Sequence, residues 1–111
     1  MPNTHHPFKV GEIFRVRIPL RAPLYGSYEG LEGRLQVRTA ERNRLIADAA
    51  GAVSFNDDGS VVVVFEISGD VTLLWAPGAY KWDAKLQSPT WGPHITNPTC
   101  TFTAELPATQ S

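Results

Sequence analysis

The residues "APGAYKWDAKLQ" (76–87) alternate apolar and polar side chains without a break after the turn signal Pro77-Gly78. Successive side chains of a β-strand point to opposite faces of the sheet, so this pattern predicts a half-buried strand. Its inward face would carry Tyr80, Trp82, Ala84 and Leu86, and its outward face Lys81, Asp83, Lys85 and Gln87. We therefore expect the two aromatic side chains to pack in a core, and the charges to face solvent or a neighbouring subunit.

The same period of two recurs along most of the chain. Turn signals such as Asp58-Gly59 and Gly69-Asp70 separate short alternating or β-branched runs at intervals of roughly 8–12 residues. This spacing predicts an all-β fold of seven to eight short strands, an antiparallel β-sandwich (Ig-like or jelly-roll-like) or a small barrel. The predicted strands are 13–20, 34–38, 44–49, 52–55, 61–67, 71–75, 79–86 and 99–106.

Individual strands carry more specific expectations. Pro19 cannot donate to a ladder, so its strand ends there or lies at a sheet edge. The run 61–67 predicts a central strand that is covered on both faces. Residues 71–75 predict a strand with Val71, Leu73 and Trp75 on one face. Residues 39–52 favour a turn and a strand, although Thr39 could also cap a short helix.

Length and composition indicate one domain. The chain has 111 residues, of which 42% are hydrophobic, enough for one core of sandwich size. We predict an N-terminal arm at 1–11, the β-sandwich at 12–106 and a flexible tail at 107–111. The start of the chain does not resemble a signal peptide, and no apolar run approaches the ~20 residues that cross a bilayer. The single cysteine, Cys100, excludes a disulfide within one chain and favours a reducing compartment.

The formal net charge of −1 predicts no general attraction to nucleic acid or to an anionic membrane. The charges are unevenly distributed, however. Residues 1–44 hold eight Lys/Arg and four Asp/Glu, whereas residues 45–111 hold two and seven. Folding could mix the two halves, or the basic side of one subunit could pair with the acidic side of another.

The sequence does not predict an active site, a metal or a cofactor. His5 and His6 are adjacent and His94 is distant from both, so no pair has the spacing of metal ligands. Asp57 and Asp58 belong to a turn, where aspartate is expected on conformational grounds. Cys100 lies on the apolar face of its strand, where a cysteine behaves as a small hydrophobic residue.

Three aromatic residues are expected on loops rather than in the core. Trp91 lies in the Pro-rich loop 88–98, and Tyr25 and Tyr28 lie in the Gly/Pro-rich loop 21–33. An exposed loop tryptophan is commonly an anchor in a protein interface. The same side chains could stack on sugar rings, and the sequence leaves both interpretations open.

The order of elements resembles small β-sandwich structural proteins of tailed bacteriophages, such as N-terminal domains of baseplate proteins. The resemblance covers residues 12–106 and is centred on a G-x-Y-x-W-D strand. The residues that carry it are Val37-Arg38, Thr72, Pro77, Gly78, Tyr80, Trp82 and Asp83.

This resemblance implies a non-enzymatic virion component of the neck, tail, baseplate or capsid decoration, made in the host cytoplasm. Its implied partners are other virion proteins and further copies of itself, with no nucleic acid and no membrane. The alternative is a carbohydrate-binding β-sandwich of a host-recognition device. The candidate contact residues, in the arm and the loops, are Phe8, Tyr25, Tyr28, Trp91 and His94.

Overall fold

The computed structural model describes residues 8–89, 92–96 (backbone only) and 100–106. These residues form nine strands and one helical turn, α1 (Gly69–Thr72). The strands are β1 (Phe8–Lys9), β2 (Phe14–Leu20), β3 (Glu32–Thr39), β4 (Leu45–Ala50), β5 (Ala52–Phe55), β6 (Val61–Ile67), β7 (Gly78–Ser88), β8 (Gly92–Thr96) and β9 (Cys100–Glu105). None of the described helical residues forms a segment long and apolar enough to cross a membrane.

The strands form two sheets that pack face to face. The large sheet has the order β1-β9-β7-β3-β4, with β8 also paired to β7, and the small sheet has the order β2-β6-β5. Every pairing is antiparallel except that of β1 with β9. The predicted all-β sandwich is therefore confirmed.

Strand β7 organises the large sheet. It pairs with β3 along most of its length, with β9 through its first half and with β8 through its second half. The predicted alternation is confirmed, because Tyr80, Ala84 and Leu86 are buried, while Trp82 is half-buried against the same core. Three neighbouring strands thus pair with the segment that the sequence pattern marked most clearly.

Part of the predicted loop 88–98 is a strand. β8 pairs with β7, and Pro93 lies opposite Gln87 where the register shifts. Proline is tolerated at sheet edges and at bulges, since its missing N–H removes no ladder hydrogen bond there. The prediction of an irregular loop was wrong for 92–96, because β7 extends to Ser88 and offers a free edge.

The ambiguous segment 39–52 is a turn followed by strand β4. The Thr39 hydroxyl accepts a hydrogen bond from the Arg44 amide at 3.1 Å, and Asn43 has a positive φ of 57°. These contacts close a turn rather than start a helix. The chain then passes from β4 to β5, and so from one sheet to the other, at Gly51, where a Cβ would lie 2.5 Å from Cγ1 of Val63.

Strands β2 and β6 have the predicted positions in the small sheet. β2 is an edge strand, as Pro19 predicts, and β6 is central. The inward residues of β6, such as Val63 and Phe65, are fully buried, but Val62 and Val64 on the other face are only half-buried. The prediction that both faces of β6 are covered was therefore wrong, because a two-layer sandwich leaves the outer face of each sheet open.

The predicted strand 71–75 is instead the helical turn α1 followed by a second turn. Thr72 and Trp75 are buried, whereas Val71 and Leu73 are exposed. Buried positions three residues apart fit a helical turn, which brings residues i and i+3 to one side. The backbone amides of Thr72 and Leu73 donate to the carbonyls of Ser68 and Gly69, so this segment satisfies its own hydrogen bonds without a sheet neighbour.

Candidate functional site

Three connecting segments meet at one end of the sandwich. They are the β1–β2 turn (10–13), the β3–β4 turn (40–44) and the segment 68–77 that contains α1. Pairing of Phe14 with Ile67, and of Thr39 with Tyr80, places all three at the same end. Loop 21–31 and the β5–β6 turn lie at the other end, where a Cβ on Gly59 would contact Ala22.

Thr72 fixes α1 against the β1–β2 turn. Its side chain is fully buried, and its hydroxyl accepts from the Gly11 amide at 3.0 Å and donates to the Glu12 carbonyl at 2.7 Å. Gly69 lies so close to the Gly11 carbonyl oxygen that an added Cβ would collide with it. A buried hydroxyl and a glycine therefore set the position of α1.

Trp75 enters a cluster of five aromatic rings beneath this end. Its ring centroid lies 5.7 Å from those of Phe8 and Tyr80 and 5.8 Å from that of Phe14. Phe102 stacks on Tyr80 with centroids 5.5 Å apart. Such offset and edge-to-face pairs stabilise beyond the area they bury. The cluster joins both sheets to the segment after α1.

The Tyr80 hydroxyl and the Trp75 indole nitrogen differ in their hydrogen bonding. The Tyr80 hydroxyl donates to the carbonyl oxygen of Ala76 at 2.5 Å, and burial raises the pKa of Tyr80. The indole Nε1 of Trp75 is buried and has no hydrogen-bond acceptor among the residues that the structure describes. Tyr80 thus holds the turn after α1 by a hydrogen bond, whereas Trp75 holds it by packing alone.

The surface of this end is apolar. Of the nine described residues with large exposed apolar side chains, six lie here, with exposures of 43% to 84%. Isolated exposed apolar residues are normal, but a cluster at one place marks an interaction surface. We call this surface the apolar end; it consists of Ile13, Leu45, Val71, Leu73, Leu74 and Leu106.

A groove runs into the apolar end between β4 and the segment after α1. Its volume is about 390 Å³, and Leu45, Val71 and Leu74 form its apolar walls. Trp75 and Tyr80 also line it, and Arg44 lies at its edge. The groove is shallow and offers few polar groups, which suits an apolar side chain of a protein partner better than a polar small molecule.

Opposite charges lie on the two sides of the apolar end. The β3–β4 turn, beside the edge strand β4, carries Glu41, Arg42 and Arg44. The β1–β2 turn follows β1 at the opposite edge of the large sheet and carries Glu12, and Asp70 lies on α1, which packs against that turn. All five residues are exposed. Within the described part of the chain, the side chains of Arg42, Arg44 and Asp70 form no ion pair. One side is therefore basic and the other acidic, with the apolar surface between them.

The outer face of the large sheet is polar and carries a hydrogen-bonded network. Arg34 forms an ion pair with Asp48, Gln36 donates to Asp48 at 3.1 Å, and Arg38 donates to Gln36 at 3.0 Å. Burial opposes ionisation of Asp48, but hydrogen bonds from Gln36 and Arg34 and the nearby arginine charges outweigh it and lower the pKa of this carboxyl.

A second groove of about 470 Å³ crosses this polar face and is lined by Glu32, Arg34, Lys85 and Gln87, among others. Arg34 lies directly opposite Lys85 across the ladder, and Arg38 lies opposite Lys81. Like charges at opposed positions repel. Among the side chains that the structure describes, none that lines the groove is aromatic, and none is a cysteine or a histidine.

The acidic side chains of the β5–β6 turn support the turn itself. The Ser60 hydroxyl and amide donate to Asp58 at 2.6 and 2.9 Å, and these hydrogen bonds lower the pKa of Asp58. Gly59 follows with a φ of 90°. Across the described residues, no three His, Cys, Asp or Glu side chains are grouped so that they could hold a metal ion.

Of the predicted contact residues, the three whose side chains are described do not come together. Tyr25 is 77% exposed in loop 21–31, whereas Tyr28 in the same loop is half-buried against the core. Phe8 is half-buried in the aromatic cluster. His94 belongs to β8, of which only the backbone is described, and Trp91 lies outside the described residues.

The residues of the motif strand mainly have structural positions. Pro77 is exposed, and Gly78 begins β7 with a φ of 150°. Tyr80 is buried, Trp82 is half-buried and Asp83 lies opposite Gln36 on the outer face. The strand therefore contributes core packing and an outer polar face, rather than a binding site of its own.

Sequence reasoning missed the apolar end. Val71 and Leu73 were predicted to share one face of a strand with Trp75, and Leu106 to end the strand 99–106, but all three side chains are exposed. Two signals were available: Thr72 and Trp75 are spaced as on a helical turn, and Ser68-Gly69-Asp70 provides its start. Both are short-range patterns, and the strand pattern of the rest of the chain outweighs them in a prediction from sequence.

The sequence matches no family model and no curated protein. A crystal structure of a candidate glycoside hydrolase from Bacteroides vulgatus ATCC 8482 aligns with a TM-score of 0.47 at 6% sequence identity. The alignment covers 92% of this chain and 16% of that protein, so this chain spans a small part of its length. Neither the fold described above nor the function proposed below rests on this likeness.

Proposed function

We propose that this protein is a non-enzymatic structural component of a tailed-phage particle, acting through contacts between subunits. We infer the kind of particle from the resemblance of the motif strand to β-sandwich proteins of tailed phages. Its place could be the neck, the tail, the baseplate or the capsid decoration. Other virion proteins and copies of the same chain are the expected partners.

The apolar end is the observation that supports a role in subunit contacts. Six large apolar side chains share one end, and Leu74 alone exposes 84% of its surface. Monomeric soluble proteins rarely keep such a surface uncovered, because its burial is favourable at about 25 cal/mol per Å². A surface of this kind, on a domain held together by core packing, suits a protein that assembles.

Mass spectrometry of purified particles tests the proposal directly. Particles of the phage that encodes this chain should contain it in many copies, in a fixed ratio to the major capsid protein. Its absence from washed particles would reject a structural role. Finding it only in the infected-cell lysate would point instead to a protein used during assembly and then released.

A glycan array separates this role from the carbohydrate-binding alternative. Sugar binding by β-sandwich modules needs exposed aromatic rings, and Tyr25 is the one tyrosine or tryptophan among the described side chains that is fully exposed. We expect no glycan to be retained. Retention that is abolished by Trp91→Ala or Tyr25→Ala would favour the carbohydrate-binding module.

A further inference from the structure

We propose that the apolar end is a two-fold interface, so that two copies of this chain associate end to end through it. The inference deepens the proposed role in subunit contacts by naming the partner and the surface. It commits to a second copy of the chain as the occupant, with the basic side of each copy facing the acidic side of the other.

The apolar part of the surface fits a self-complementary contact. Leu74 and Leu73 project from the segment after α1, and the groove beside them is walled by Leu45 and Val71. In a two-fold dimer, residue i of one copy contacts residue j of the other, and the reverse contact also forms. Leu74 of each copy can therefore enter the groove of its partner, and every such contact is made twice.

The charges favour a second copy over an unrelated partner. Arg42 and Arg44 lie in the turn beside the edge strand β4, whereas Glu12 lies in the turn after β1, at the opposite edge, and Asp70 lies on α1, which packs against that turn. A two-fold axis that lies in the interface, between the basic and the acidic side, brings the basic side of each copy onto the acidic side of its neighbour. Glu41 lowers the net charge of the basic side to +1, which still attracts the two carboxylates opposite.

The solution mass of the purified full chain is the first test. Sedimentation equilibrium over increasing concentration should show a species of twice the 12.2 kDa chain mass. Leu74→Asp should weaken the dimer on the order of a hundredfold, because each dimer carries the change twice. Leu24→Asp is the matched control: Leu24 is 91% exposed at the opposite end, so this variant should still form dimers.

Charge reversal tests the two-fold arrangement itself. Arg42→Glu/Arg44→Glu should leave both sides of the surface acidic, and Glu12→Lys/Asp70→Lys should leave both sides basic. Neither variant should self-associate, but an equimolar mixture should form a heterodimer, since each side of one variant then faces a side of opposite net charge on the other. Thermal unfolding of each variant alone verifies that it is folded.

Three results would overturn the inference. They are a wild-type chain that stays monomeric at the highest concentration reached, a dimer that Leu74→Asp leaves as strong as wild type, and a mixture of the two charge variants that does not associate. These outcomes are separable from the virion test. A monomeric chain found in purified particles would reject this interface and leave the structural role intact.

Discussion

Two neighbouring segments of similar composition adopt different structures in this protein. Residues 61–67 form strand β6, whereas residues 71–75, only a few positions later, form a helical turn and a second turn. Both are rich in apolar residues, and both were predicted as strands. In β6 the odd-numbered side chains are buried, while in the second segment burial falls on Thr72 and Trp75.

The difference lies in what each backbone can bond to. β6 has β2 along its full length and β5 beside its first half, so a ladder satisfies its amides. The later segment caps the end of the sandwich, bonds to itself and is fixed by Thr72 to the β1–β2 turn. Apolar content alone therefore does not make a strand; a neighbouring strand with free hydrogen-bonding groups is also needed.

The largest expected difference in stability is between variants of Trp75 and Trp82, which the side-chain alternation assigned alike to the core. Trp75→Ala should lower the free energy of unfolding by about 3–5 kcal/mol, since it empties the centre of the aromatic cluster. Trp82→Ala should cost about 2 kcal/mol, because Trp82 is only half-buried. Urea denaturation followed by circular dichroism measures both. Equal losses would contradict the different burial of the two side chains.

The hydroxyl of Thr72 is the next target. Thr72→Val keeps the shape of the side chain but leaves the Gly11 amide and the Glu12 carbonyl without this partner, which should cost about 1–3 kcal/mol. Thr101→Val, on the exposed side of β9, is the matched control and should stay within about 0.5 kcal/mol of wild type. A neutral Thr72→Val would show that α1 does not depend on this contact.

Tyr80→Phe should have a smaller effect. It removes the hydrogen bond to Ala76 and should cost about 0.5–1.5 kcal/mol at neutral pH. Because the folded-state pKa of Tyr80 is raised from its ordinary value of 10.0, its contribution is complete below pH 10 and is lost as the pH rises through the folded-state pKa. The variant should therefore lose less stability than wild type between neutral and strongly alkaline pH, and identical pH profiles would contradict this.

The smallest expected effect is that of Val71→Thr, and its partner Val63→Thr makes the test a direct comparison of residues 71–75 with β6. Val71→Thr should change the stability of the dilute protein by no more than about 0.5 kcal/mol, because Val71 is exposed on α1. Val63→Thr, on the inward face of β6, should cost about 1–3 kcal/mol by burying a hydroxyl. Parallel thermal melts provide the measurement, and similar losses would restore the strand interpretation of 71–75.

Sequence reasoning placed edge and central strands alike, since the edge strands β2, β4 and β5 lie within one residue of their predicted bounds. In the central strand β7, the alternation of the sequence corresponds to a real difference between a covered and an open face. The continuous apolar run of β6 does not show this difference, although β6 is also central. The missed segments lie at the margins of the fold. β8 forms on an edge that β7 offers, despite Pro93, and α1 closes an end of the sandwich.

The candidate site was the least predictable part of the molecule. Apolar residues are expected in cores, so Leu73 and Val71 were predicted to share one face of a strand with Trp75, and their exposure follows only from the position of α1. The charges beside them are distant in sequence, with Glu12 and Asp70 on one side and Arg42 and Arg44 on the other. Only folding brings the β1–β2 turn, the β3–β4 turn and α1 to one end.

By itself, the sequence determined that this chain is an all-β sandwich and which face of β7 is buried. Side-chain alternation and turn residues act over a few positions, so they can be recognised in the sequence before the fold is known. The tertiary structure decided which apolar residues remain outside. That outcome depends on where hydrogen-bonding partners and free space remain after the sheets have paired, which the short-range pattern of residues 68–75 indicates only in part.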